Sequence, residues 1–253
     1  MEVEILPSID ELIRQGAVFV ANHSGGKDSQ AMLIKLLERV PASKILVVHA
    51  SLGEAEWPGA LELAEAQAKA AGVEFVVARA TKTFFDMVDR RYETRPDAPS
   101  WPSASNRQCT SDLKRDPIAR EIRRYSKANA TPIIVNCMGI RAQESPSRAK
   151  KIPFRRDTRN SLAGRDWFDW LVIHEMTTDE VFGTIKDAGQ EPHYAYALGN
   201  DRLSCVFCIL ASRKDLKNGA KHNPELFRKY VEREQRTGYT MHQSRKSLTE
   251  LVS

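Results

Sequence analysis

Ser24-Gly25-Gly26-Lys27-Asp28-Ser29 crowds two adjacent glycines, a lysine, an aspartate and two hydroxyls into six residues. Adjacent glycines let main-chain N–H groups close on an anion, and a helix starting at such a turn adds the positive end of its dipole. Lys27 brings a full charge, and Ser24 and Ser29 bring hydroxyl donors. Phosphate is the guest that this set fits. A tight turn with an incidental lysine is the plainer reading and would suffice for a lone Gly-Gly. The spacing is not that of the Walker A loop, nor of the spaced-glycine dinucleotide fingerprint.

The second chemical group is sulfur. Cys109, Cys137, Cys205 and Cys208 are few for 253 residues, which points to metal or redox chemistry before a disulfide framework. Cys205 and Cys208 put two thiols within reach of one metal or cluster. A thioredoxin-like pair is the rival, but such a pair opens a helix directly after the first strands, and this one comes far downstream. Cys137 ends an apolar run and reads either as a further ligand or as a small buried hydrophobe; His222 is a weaker ligand candidate.

Elements must position these groups. Residues 17–21 read as a buried strand, and Leu33, Leu36, Leu37 and Val40 fall at i, i+3, i+4, i+7, so a helix follows the glycines. A second strand is expected at 45–48, an alanine-rich helix at 60–71 closed by Gly72, and a third strand at 73–77. This β-α-β-α-β order predicts a parallel sheet. A basic helix is expected to run to about Tyr125, with Pro117 as its start or a kink. A fourth strand is expected at 132–137 and a fifth at 170–173, separated by a basic loop over 146–166. Thr177 and Glu180 have capping-box spacing for a helix ending at Gly189. A last helix is expected from Pro224 to Gly238.

The bulk numbers allow one large α/β domain, or a domain with a modest appendage. Net charge is +5, compatible with nucleotides or nucleic acid as partners. No apolar run is long enough to span a membrane, and the acidic opening Met1-Glu2-Val3-Glu4 lacks the layout of a signal peptide, so a cytoplasmic protein is expected.

The six-residue loop resembles the PP-loop, SGGxDS, of the ATP pyrophosphatase superfamily, and its lysine resembles the branch of phosphoadenosine phosphosulfate (PAPS) reductases. Arg107-Gln108-Cys109-Thr110-Ser111-Asp112-Leu113-Lys114 is similar to that branch's RxCTxxLK stretch, and Gly139 to Ser145 to its GxRxxES stretch. His49-Ala50-Ser51-Leu52-Gly53 stands where the family often has an acidic residue and a glycine; Ser51 departs from that acid. Asp201 to Cys208 resembles an RxSCxxC stretch of many bacterial and phage members.

The resemblance implies a three-layer, doubly wound, mostly parallel α/β sheet of the adenine nucleotide alpha hydrolase-like kind, with a helical, cysteine-bearing C-terminal part. The nucleotide-binding domain would cover 1–200, and a CxxC-containing helical extension packed on it would cover 201–253. It implies ATP and Mg²⁺ as ligands, cleavage between the α and β phosphates, and adenylation of an acceptor. Ser24, Gly25, Gly26, Lys27, Asp28, Ser29, His49, Gly139, Arg141 and Glu144 are the implied nucleotide-binding residues. Lys27, Asp28, Arg107, Lys114 and Arg141 are the implied catalytic ones, with Asp28 helping to hold Mg²⁺ and Arg107, Lys114 and Arg141 neutralising charge in the transition state. Each arginine also reads as a surface ion pair, and Glu144 as a structural partner of Arg141.

Cys109, Cys205 and Cys208, with Cys137 as a candidate fourth ligand, are implied to hold a 4Fe-4S cluster, with Zn²⁺ as the alternative. A PAPS reductase attacks its substrate with a cysteine near its C-terminus; this chain has none after Cys208. The expected function is therefore sulfur transfer, as in nucleic-acid thiolation or DNA phosphorothioation. The alternatives are a sulfonucleotide reductase-like enzyme and a non-catalytic, zinc-stapled nucleotide-binding module. The expected partners are a nucleotide substrate, a sulfur-donor protein, and DNA or RNA along Arg148 to Arg159, which also reads as a solvated loop; a homo-oligomer is compatible with all three functions.

Overall fold

A computed structural model describes residues 5–253; the acidic opening at 1–4 lies outside the described residues. In chain order the first half runs α1 (Ile9–Arg14), β1 (Val18–Asn22), α2 (Lys27–Leu37), β2 (Ile45–Ser51), α3 (Ala60–Ala70), β3 (Glu74–Arg79), α4 (Phe84–Thr94), α5 (Gln108–Thr110) and α6 (Asp116–Ala128). There follow β4 (Ile133–Cys137), α7 (Pro146–Ala149), β5 (Phe154–Arg156), β6 (Asp166–Trp170), α8 (Thr178–Asp187), α9 (Arg213–His222), α10 (Pro224–Thr237) and α11 (Leu248–Val252). Contacts divide these into two compact units. The first takes in the chain up to His49, Leu61–Val77 and Ile118–Pro192; the second takes in Ala50–Ala60, Ala78–Pro117 and His193–Ser253.

The sheet has six strands in the order β3-β2-β1-β4-β6-β5. β1 pairs in parallel with β2 and β4, and β4 with β6; β5 runs antiparallel on the edge. This is a mostly parallel α/β fold. Its central strands are continuous apolar runs because helices cover both of their faces: Val18–Ala21 of β1 and Ile45–His49 of β2 are buried throughout. Strand order reverses at β1, between β2 and β4, which is where open α/β sheets bind ligands at their carboxyl ends. The first unit's core gathers Phe19, Met32, Leu36, Val47, Val135 and Phe168.

Four expected strands form within about three residues of their expected positions. The fifth forms at 166–170 rather than 170–173, because Trp167 and Phe168 are the residues that pair with Ile134 and Val135 of β4. The basic run at 146–166, expected as a loop, contains α7 and β5. Phe154 stacks on Phe168 with ring centroids 5.6 Å apart, and Arg155 and Arg156 pair with Asp169 and Asp166 of β6. Cross-strand ion pairs and one aromatic anchor hold a strand whose charge alone reads as loop.

The second unit has its own core, in which Trp57, Phe84, Phe85, Trp101, Phe207 and Tyr230 are buried. A π-helical stretch, Ser111–Arg115, joins α5 to α6. Pro117 lies inside a helical run that continues unbroken from α5, and it directly follows the wider π turn, in which the Asp116 N–H donates to the Ser111 carbonyl. α10 starts at Pro224 as expected and stops at Gly238, whose φ of +71° ends it, but α11 follows. Among the described residues no helix is long and apolar enough to cross a membrane.

Candidate functional site

In the first unit, β1 ends at Asn22 and the chain turns through His23, Ser24, Gly25 and Gly26 into α2. Gly25 takes φ +73°, a left-handed conformation that a side chain would strain. Gly26 is the N-cap and no side chain caps it, so the opening turn of α2 presents its N–H groups at the switch point of the sheet. Ser29 Oγ donates to the Gly26 carbonyl at 2.8 Å and accepts from the Ser24 N–H at 3.1 Å, which fixes the shape of the loop. Ser24 is exposed, whereas Lys27 is buried, with Nζ 3.4 Å from Asp28 Oδ2.

Two residues beneath the loop hold it. The Gly25 N–H donates to His23 Nδ1 at 3.1 Å, and His49 Nδ1 lies 2.8 Å from the His23 carbonyl. Both histidines are buried. Burial pushes the His23 imidazole down to about 4, with His49 acting in the same direction and Gln67 opposing.

The segment after β4 closes on the same turn. A Cβ on Gly139 would stand 2.8 Å from the Asp28 carbonyl oxygen and 3.2 Å from the Ser29 nitrogen, so only glycine allows this approach. Arg141 is 3 % exposed; its Nε donates to Asp28 Oδ1 at 2.7 Å and its other nitrogens to Gln143, Thr178 and the Met176 carbonyl. Glu144 accepts from the Arg141 main-chain N–H at 3.0 Å and pairs with Arg148. The structure therefore joins Asp28 and Arg141 to each other. A resident Mg²⁺ does not fit at Asp28, whose two oxygens already face Arg141 and Lys27.

In the second unit, Cys109 comes from α5, and Cys205 and Cys208 from a turn that Gly219 of α9 approaches closely; a Cβ there would lie 3.1 Å from the Val206 carbonyl oxygen. The Val206 N–H donates to the Ala55 carbonyl at 3.0 Å, and Cys205 bridges to Glu56. The three thiols lie close enough to act on one another's charge. Burial pushes the Cys205 thiol up to about 12, with Lys114 opposing and Cys208, Cys109 and Glu56 adding to it. Burial and Cys208 likewise raise Cys109. Lys114, in the π-helical stretch, loses hydration, but Cys205, Cys208, Glu56 and Cys109 outweigh that and raise its pKa. Lys114 is thus brought to the cysteines.

Arg107 is exposed, just before α5. Cys137 sits in the core of the first unit, 3.6 Å from the Val135 carbonyl, and burial raises its thiol well above the ordinary range. All four cysteines are free thiols. The sequence reading missed a polar ladder across the strands: Asn22 donates to Asn136 at 2.7 Å, Asn136 to Asp169 at 2.9 Å, and Arg155 to Asp169 at 2.6 Å. The register that aligns Asn136 with Asp169 is visible only in the sheet.

Residues 18–211 match the model of the phosphoadenosine phosphosulfate reductase domain. The chain belongs to this family. As a PAPS reductase-family chain it is 30 % identical over 116 residues to an uncharacterized 37.8 kDa protein of Escherichia phage 186, covering 46 % of this chain and 34 % of that one. It is 22 % identical over 226 residues to the uncharacterized protein MJ0973 of Methanocaldococcus jannaschii, covering 85 % and 47 %. The family member described here thus spans half or less of the length of these relatives. Among solved structures, a PAPS reductase from Candida auris in complex with phosphate is 10 % identical with TM-score 0.47, covering 80 % of this chain and 98 % of that one. A U34-tRNA thiolase from Methanococcus maripaludis with its 4Fe-4S cluster is 12 % identical with TM-score 0.39, covering 90 % and 76 %.

Proposed function

We propose that this family member binds ATP at the loop 24–29, cleaves it between the α and β phosphates to adenylate an acceptor, and delivers sulfur to that acceptor through a 4Fe-4S cluster on Cys109, Cys205 and Cys208. The observation that carries the reading is the convergence of these three thiols, distant in sequence, around one lysine. The raised pKa values of Cys109 and Cys205 make these two thiols poor nucleophiles, which disfavours a sulfonucleotide reductase that attacks with either of them. A soft metal is the partner that draws the proton from such a thiol.

We take the group on these thiols to be a cluster, with zinc as the alternative. A single Zn²⁺ with Zn–S bonds of about 2.3 Å needs its sulfurs within about 4 Å of one another. Among the described residues no three His, Cys, Asp or Glu side chains are grouped as ligands of one ion. A 4Fe-4S cluster binds each cysteine through a different iron and so accepts wider spacing. Such a cluster, when bound, supplies a site from which sulfide is handed on. Lys114 offsets the charge of the thiolates.

On the nucleotide side, the N–H groups at the start of α2 and Lys27 take the β and γ phosphates, and Mg²⁺ arrives on the nucleotide. Asp28 and Arg141 lock the turn against the Gly139 segment, so the donors meet the departing pyrophosphate without rearrangement. The acceptor class is nucleic acid; Lys150, Lys151 and Arg159 remain in the basic stretch after Arg148, Arg155 and Arg156 are paired with acids.

The test is anaerobic purification followed by ATP, Mg²⁺, sulfide and either tRNA or DNA. The expected result is pyrophosphate release that depends on the acceptor and falls on the order of 100-fold in Lys27→Ala. Absence of pyrophosphate with every acceptor, with Lys27→Ala indistinguishable from the parent, would sink the proposal. A colourless protein with stoichiometric zinc and no iron would favour the non-catalytic module instead.

A further inference from the structure

Tyr230, on α10, is fully buried, and its hydroxyl has no hydrogen-bond partner. Four aromatic rings hold it in place. It stacks on Phe84 and Trp101, with centroids 5.7 and 5.6 Å away, and meets Phe85 and Phe207 at 4.9 and 5.1 Å. Phe207 lies between the two cysteines of the CxxC turn. A ring caged in this way cannot swing its hydroxyl to water. A buried hydroxyl without an acceptor costs free energy that Phe, with the same ring, would avoid. Cys109 and Cys205 pack against the aromatic core that holds it, and burial, then the charge of Cys205, Cys208 and Cys109, raises its pKa well above the ordinary range. It is therefore a fixed neutral donor in the core against which these cysteines pack.

We propose that the Tyr230 hydroxyl donates a hydrogen bond to the sulfur-bearing group held by Cys109, Cys205 and Cys208, positioning that group and tuning its electron affinity. This rests on the cluster reading above. The acceptor is a thiolate or sulfide sulfur that carries negative charge once the metal is bound. Hydrogen bonds to cluster sulfurs favour the reduced, more negative state and so raise the reduction potential.

The experiment compares the full chain, reconstituted anaerobically with iron and sulfide, as wild type and as Tyr230→Phe. Both are expected to hold the same iron and sulfide per chain, with the midpoint potential of Tyr230→Phe more negative. Metal-free Tyr230→Phe is expected to melt no lower than metal-free wild type, because no hydrogen bond is lost. 3-Fluorotyrosine placed at position 230, a stronger donor on nearly the same ring, should move the potential in the opposite direction. Tyr239→Phe, whose hydroxyl lies 3.5 Å from the Pro96 carbonyl, should leave the potential unchanged. Equal potentials for loaded wild type and Tyr230→Phe overturn this proposal and leave the cluster reading standing. A lower melting point of the metal-free variant also overturns it, since the hydroxyl then has a protein partner. If wild type takes up no iron, the cluster reading fails, and this proposal fails with it.

Discussion

His23 places an acid limit on the loop that follows it. Unfolded, its imidazole takes a proton near 6.5; folded, burial holds it neutral down to about 4. Between those values the unfolded chain binds the extra proton, so the stabilisation is whole above pH 6.5 and drains away as pH falls toward 4. At pH 5 the loss is about 2 kcal/mol. Denaturant titrations at pH 7 and pH 5 should record it, and His23→Gln should flatten the difference; an unchanged slope would assign the effect elsewhere. At this scale the sequence was informative about residue type and silent about company. Lys27, Asp28 and Arg141 each read from the sequence as candidates for a phosphate site, but the Asp28–Arg141 bond joins positions 113 residues apart. Lys114 read as a cation for phosphate because its neighbours in the chain say nothing of Cys205 and Cys208.

The opening turn of α2 is held by the segment after β4, and that contact is sensitive to a single methyl group. Gly139→Ala would push a Cβ into the Asp28 carbonyl and displace the turn. We expect a loss of about 1–3 kcal/mol in stability and ATP binding weakened by at least roughly tenfold, equivalent to about 1.4 kcal/mol, read by calorimetry; an affinity equal to wild type would show that the turn tolerates the shift. Arg141→Met takes the guanidinium from Asp28, Gln143 and Thr178, leaving Asp28 with Lys27 alone and Gln143 and Thr178 with each other. The expected cost is roughly 2–4 kcal/mol in urea unfolding, below the fully buried case because the Asp28 side chain is 23 % exposed. Arg141→Lys should recover only part, since an ammonium lacks the planar fork that reaches all these partners. Elements carried by local periodicity and glycine placement, such as β1, α2 and β2, were readable from the sequence. β5 was not, because a basic strand becomes a strand only beside Asp166 and Asp169.

The chain builds its two units from alternating segments, so neither is a continuous piece of sequence. A chain ending at Pro192 would keep Trp57, Phe84, Phe85 and Trp101 of the second core while losing Phe207, Leu216, Leu226 and Tyr230 that cover them. Such a truncation should be poorly soluble and bind a hydrophobic dye strongly; a soluble, dye-negative product would show that the earlier segments bury themselves. The convergence of the cysteines belongs to this scale too, because the fold alone joins Cys109 to a turn made much later in the chain. The same alternation bears on the order in which a ribosome delivers the chain. Trp101 is made 129 residues before Tyr230, the ring it stacks on. At about 5–20 residues per second that is a wait of roughly 6–26 s. For that interval the aromatic half of the second core stands uncovered, and a holding chaperone has its opportunity to bind there.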